Sequence, residues 1–259
     1  MKLDGITLFI IIFVGMFALV MAYTFALTRI TKAKENSEKK KKALSIIGKD
    51  AIKYKDQGAK LAYKGILLFL DEKYNTAAEY FEEALKLDVG DSNRAFCYEW
   101  LAHCFIKQHK HNEYKEIRRR GAEALPYNDA VLVAYANCLA DEGDFKNAEY
   151  YYNQAIKYNP NNITAYRALG FIAETRGQYE KAIEYFETLL KVSEHDLISM
   201  YEKAVCYAAL GNFDEAERLM INAIAVDNEN NYEKYKTQIM NIRKISEHDL
   251  FKEEGSENS

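Results

Sequence analysis

The side chains with the most reactive chemistry crowd into one short stretch: Cys97, His103, Cys104, His109 and His111. Thiolate and imidazole at this density are ligands for zinc. Cys97, His103 and Cys104, however, fall on a helical pattern at spacings that point in different directions, and Cys104 has a second explanation given below. The expectation is therefore no metal. Arg118–Arg120 form the other local concentration of charge. A solvated helix face explains them, and an anion site or the neutralising of acidic neighbours is the alternative. The chain holds no phosphate-cradling glycine loop, no His-Glu-x-x-His and no strand–glycine–helix fingerprint. No catalytic residue and no cofactor are expected.

The elements that must carry these side chains are helices. In Asn162–Glu194, Tyr166, Leu169 and Ile172 lie on one helical stripe and Ile183, Phe186 and Leu190 on the next. Gly170 and Ala182 are small where two helices would approach closely. Gly177 ends the first helix, because glycine enters the left-handed conformation cheaply. The pattern recurs at a step of 34. Ala102, Ala136, Gly170 and Ala204 keep it in the first helix, and Ala148, Ala182 and Ala216 in the second. Gly143, Gly177 and Gly211 mark the turns, Phe145, Tyr179 and Phe213 follow two residues later, and the two prolines, Pro126 and Pro160, obey the same step.

These positions resemble the tetratricopeptide-repeat family, whose pattern has a small residue in helix one, then alanine, an aromatic and a closing proline. The resemblance is in phase over 125–230 and extends upstream through Gly65, Tyr74, Ala77, Phe81 and Ala84. The unit at 95–128 is degenerate: Leu101 and Ala102 fit, but Arg118 stands where an aromatic is expected, so its second helix is expected to be displaced. The step of 37 between Gly65 and Ala102 implies a three-residue insertion near Gly90–Asn93. Cys104, Cys138 and Cys206 each follow the small residue by two, where Ile172 stands in the intact repeat, and read as small core residues. Free buried thiols suit a reducing compartment. Most of the 20 tyrosines, Tyr74 and Tyr179 among them, fall on core or inter-helix places.

Before the repeats, residues 6–28 carry no charge. At about 1.5 Å per residue the run spans roughly 34 Å, enough for a bilayer core with some tilt. It is longer than the apolar core of a cleavable signal, so an uncleaved anchor is expected. Ala18, Ala22 and Ala26 would let another helix approach, allowing an oligomer through this segment. Residues 29–57 hold ten Lys/Arg against four Asp/Glu. By the positive-inside rule they place the repeats in the cytoplasm. They read as a charged helix or partly ordered stalk, with attraction to anionic lipid as a second role. The acidic remainder argues against nucleic acid.

The expected organisation is all-α: a short flank at 1–5, a transmembrane helix at 6–28, a basic linker at 29–57, and an α-solenoid of about five helix pairs. The pairs are 58–94, 95–128, 129–162, 163–196 and 197–230. A capping helix at 231–245 carries Tyr232, Tyr235, Ile239 and Ile242 on one face, and an acidic disordered tail occupies 246–259. Ser-Glu-His-Asp-Leu occurs twice, at 193–197 and 246–250.

The resemblance implies protein binding, with first helices lining a concave groove and second helices forming the convex back. The residues it places in the groove are Ala62, Ile66, Glu99, His103, Val133, Asn137, Arg167, Phe171, Tyr201 and Val205. They describe a largely apolar channel suited to a helical or extended peptide segment, with Phe171 as an anchor wall and Arg167 as its main charge. The basic clamp by which some such grooves grip a chaperone's carboxylate is missing: the corresponding triplets, such as Val133/Asn137/Ala168/Ile198/Glu202, lack its lysines and arginines. The function expected is a membrane-anchored, cytoplasm-facing scaffold that recruits or assembles a complex. The alternatives are the same scaffold on the outer face, in a secretion or flagellar-motor type of envelope machine, and, more remotely, a metal-binding or enzymatic protein.

Overall fold

The computed structural model describes residues 57–87, 89–225, 227, 235–241 and 243, with scattered positions between 31 and 42. The expected transmembrane run at 6–28 lies outside them. Among the described residues no helix is long and apolar enough to cross a membrane. The positions described between 31 and 42 are helical, and Lys39 there bridges Glu35 at 2.9 Å and Asp71 at 3.0 Å.

The helices of the described residues 57–225 are α1 Gln57–Leu70, α2 Tyr74–Leu85, α3 Gly90–Lys107, α4 His111–Ala124, α5 Asp129–Asp141, α6 Phe145–Tyr158, α7 Ile163–Thr175, α8 Tyr179–Val192, α9 Leu197–Ala209 and α10 Phe213–Ile224. They fall into two compact units that divide between Tyr114 and Lys115. In the first, α1 pairs with α2, and α3 packs on both. In the second, α5 pairs with α6, α7 with α8 and α9 with α10. Each pair stacks on the next through α6·α7 and α8·α9.

Side-chain caps start most helices of the second unit. Asn128, Asp144, Asn162, Asp196 and Asn212 each accept a hydrogen bond from the backbone N–H three residues on. Each cap satisfies a donor that the helix leaves orphaned. Gly143, Gly177 and Gly211 turn the chain between the helices of a pair at φ of 80°, 71° and 77°. Within a pair the contact is tight. A Cβ added at Gly170 would lie 2.5 Å from Phe186 Cε1, and one at Gly65 would lie 2.8 Å from Phe81 Cζ. Glycine thus stands where the second helix presents a phenylalanine ring, which lies against bare backbone.

The degenerate repeat departs from expectation. Its second helix, α4, begins and ends 34 residues before α6 and so is not displaced along the sequence. What differs is the face it buries: Ile117, Gly121 and Ala122 point inward, while Arg118 is only partly covered. The insertion near Gly90–Asn93 is not a loop. It extends the start of α3, which has 18 residues where α5, α7 and α9 have 13.

Past α10, positions 235–241 and 243 are helical. Tyr235 and Ile239 stand 34 residues after Tyr201 and Val205, so this segment repeats the first helix of a pair. Tyr235 is 6% exposed and stacks on Tyr201 with centroids 4.5 Å apart and planes 10° apart. Ile239 packs on the same cluster of Tyr201, Val205, Met220 and Ala223.

Candidate protein-interaction surface

The ten residues expected in the groove divide sharply by burial. Ala62, Ile66, Val133, Tyr201 and Val205 are buried, Ile66 and Tyr201 completely. They hold helices together and present no surface to a partner. Tyr201 and Val205 are covered from a distance in sequence, by Tyr235 and Ile239, and the Tyr201 hydroxyl donates to Asp227 Oδ2 at 2.8 Å. Five of the ten residues expected in the groove are thus packed inside their own units.

The residues that remain accessible are mostly polar. In the first unit, His103 Nε2 lies 3.1 Å from Glu99 Oε1, one helical turn apart on α3. The His103 ring meets Trp100 edge-on at 5.5 Å. In the second unit, Asn137 on α5 is exposed, and its Oδ1 accepts the Tyr152 hydroxyl at 2.6 Å. With Oδ1 so engaged, the amide's remaining chemistry is donation through Nδ2.

Arg167 on α7 is committed inside the fold rather than offered to a partner. Its guanidinium binds Asp196, whose other carboxylate oxygen caps α9 through Ser199 N at 3.0 Å. Burial pushes the Asp196 carboxyl up, but the hydrogen bonds from Ser199 and Arg167 outweigh it and hold the group below the usual carboxylate range. Phe171 is half-buried, edge-on to Phe186 at 5.9 Å, and packs on the cluster of Ala173, Ala182, Ile183, Phe186 and Cys206. It is as much a core residue as a surface one.

The Cys/His stretch does not assemble. Cys97 and Cys104 are buried, His103 is paired with Glu99, and His111 is exposed at the start of α4. His109 adopts φ 58° at the place held by Gly143, Gly177 and Gly211 in later repeats, so it serves as a turn residue. Among the described residues no group of three or more His, Cys, Asp or Glu could hold a metal ion. Burial pushes the Cys104 thiol up to about 12, and it raises Cys138 and Cys206 as well. Such thiols are neither nucleophiles nor ready ligands.

One polar group escaped the sequence reading. Glu174 on α7 and Glu202 on α9 share a hydrogen bond, and Tyr235 donates its hydroxyl to Glu202 Oε1 at 3.2 Å. Burial, then the charge of Glu202 and that hydrogen bond, push Glu174 up to about 7. Its only sequence signal is Glu202, which stands where Ala134 and Ala168 stand in earlier repeats.

This architecture defines a class: an α-solenoid of stacked helix pairs with capped helices and glycine turns. The family model described as Tetratricopeptide repeat matches residues 139–191 and 173–239. The crystal structure of YrrB, described as a TPR protein with an unusual peptide-binding site, shares the fold with a TM-score of 0.55 at 19% identity. It covers 76% of this chain and 97% of that one. The crystal structure of MamA protein gives 0.56 at 17%, covering 67% and 93%. Anaphase-promoting complex subunit 3 of Schizosaccharomyces pombe is 29% identical over 169 residues, or 62% of this chain and 24% of that protein. The chain thus spans about a quarter of that relative's length. The family-model match supports a tetratricopeptide-repeat assignment for residues 139–239, and the solved structures show the same α-solenoid fold.

Proposed function

We propose that this chain is a single-pass, membrane-anchored scaffold whose helix pairs face the cytoplasm and hold a segment of a partner protein, recruiting it to a complex at the membrane. The uncharged run at 6–28 followed by lysines supports the anchor and its orientation. The observation that carries the binding reading is the exposed amide on a first helix of the second unit. In the second unit, exposed Asn137 on α5 keeps its amide N–H groups available while its Oδ1 accepts the Tyr152 hydroxyl. An extended peptide, whose own backbone needs partners, fits such a surface better than an amphipathic helix does. That YrrB has the same fold and a peptide-binding site favours the same use here.

The test uses the full-length protein in native membranes, with a photo-crosslinking residue at Asn137 or, as control, at exposed Lys181 on α8. The expected result is an adduct with one defined protein from position 137 and none from 181. Equal capture from both would remove the first-helix face as the binding surface. In the same membranes, carbonate washing should leave the protein in the pellet. A Ser259→Cys variant should react with an impermeant thiol reagent only after permeabilisation, and labelling of intact cells would overturn the cytoplasmic placement.

A further inference from the structure

The second unit ends in an apolar cleft of about 300 Å³ between α10 and the helical segment 235–243, lined by Phe213, Ile221, Ile224, Ile239, Met240 and Arg243. Two observations show that this cleft is an unfinished pair rather than ordinary surface. The first is Met240. It stands 34 residues after Cys206, a place that is buried in each complete pair as Cys138, Ile172 and Cys206, yet Met240 is 49% exposed. In those pairs the first helix lies against its own second helix. The segment 235–243 has a first helix's sequence phase, and among the described residues no second helix of its own follows it. The second observation is Ile221, which is 60% exposed. Earlier second helices carry Asn153 and Glu187 at that place, so an apolar side chain is peculiar to the helix that borders the cleft.

The chain itself supplies what is missing. Arg243 lines the cleft, so the residues that follow leave from its edge. Leu250 is only seven residues on, within about 24 Å of fully extended chain. The 34-residue step assigns Leu250 to the place of Ala148, Ala182 and Ala216, the second-helix residues that are completely buried. Leu250 and Phe251 are also the only large apolar residues of 246–259.

The duplicated pentapeptide gives the local device. In its described copy, Ser193-Glu194-His195-Asp196-Leu197 joins two helices. Ser193 N closes α8 on Leu189 O at 2.8 Å, Asp196 N returns to Ser193 O at 3.1 Å, and Asp196 caps the helix that Leu197 begins. The same five residues recur at 246–250, directly after the segment that borders the cleft. Charge agrees with this: 246–259 holds five carboxylates and one lysine, and the cleft is bordered by Lys236 and Arg243.

We propose that the chain's own tail, residues 246–253, occupies this cleft, seating Leu250 and Phe251 against Met240 and Ile221. The occupant of the solenoid's exposed end is thus the chain's own tail, and docking of another protein there would require its release.

The full-length protein in detergent provides the test, since the four native cysteines described are all buried. Under mild oxidation, Ile221→Cys paired with Phe251→Cys should give an intramolecular disulfide whose yield is independent of protein concentration, while Ile221→Cys with Ser259→Cys should give little. Independently, Leu250→Asp combined with Phe251→Asp should raise amide hydrogen exchange in 217–224 and 235–243 about tenfold, with helical content retained. Disulfide-linked dimers would overturn the proposal by assigning the cleft to a second copy. Absence of the intramolecular bond together with unchanged exchange would overturn it in favour of an external partner or open solvent.

Discussion

The two units solve the same construction problem with different materials. Helices α5–α10 follow the rules: five polar caps, three glycine turns, and a small residue wherever two helices meet. Helices α1–α3 break most of them. Lys73 and Val89 precede α2 and α3 without a side-chain cap. The turns after α1 and α3 force Glu72 and His109 to φ of 61° and 58°, where glycine stands later. The compensation is aromatic. Trp100 meets Phe69 edge-on at 5.1 Å, lies over Phe81 at 6.5 Å, and contacts Phe96 at 6.1 Å and His103 at 5.5 Å. The difference shows that a repeat's local signals can decay while its fold persists, provided that one large side chain gathers the neighbours.

The largest test of this contrast is Trp100→Ala. Removing the hub should destabilise the first unit by about 3 kcal/mol, the low end for a large aromatic because Trp100 is only partly buried. Urea titration followed by circular dichroism should then show an early transition that the parent lacks. A single unshifted transition would mean that the aromatic cluster does not compensate for the missing caps.

In the regular unit the corresponding weak point is the bare backbone at Gly170. Gly170→Ala would drive a methyl into the buried Phe186 ring, and the overpacking should cost about 1–3 kcal/mol despite alanine's better helix propensity. Adding Phe186→Leu should recover part of the loss.

Acidity should distinguish the units next. Glu174 titrates near 7 in the folded chain and near 4.3 when unfolded, so over that window the native state holds a proton that the unfolded state has lost. Stability therefore falls as pH rises from about 4.5 to 7. Glu174→Gln should flatten the thermal midpoint across this window, and an unchanged slope would mean that another group dominates it.

The smallest effect expected is a gain. His109→Gly relieves a left-handed residue and should stabilise the first unit by up to about 1 kcal/mol, with glycine's chain entropy offsetting part of the relief. A loss would give His109 a role beyond the turn.

What could be read from the sequence was whatever depends on residues 34 apart. The helix pairs, their glycine turns and the core places of Cys104, Cys138 and Cys206 all follow from that step, because each reflects contacts renewed in every repeat. The accessible surface did not follow. Arg167 is taken up by the cap of the next first helix, and Glu174 meets Glu202 at a spacing that belongs to no repeat. Burial of a first-helix residue depends on what the next pair presents, so a single repeat's pattern is silent on it.

Trp100 is the only tryptophan in the chain, and its place at the aromatic hub has an optical consequence. Indole emission from this protein reports the first unit alone, whereas amide circular dichroism reports every helix. In one denaturation, the gap between the two midpoints measures the cooperativity between the irregular start of the array and its regular remainder, without any label being attached.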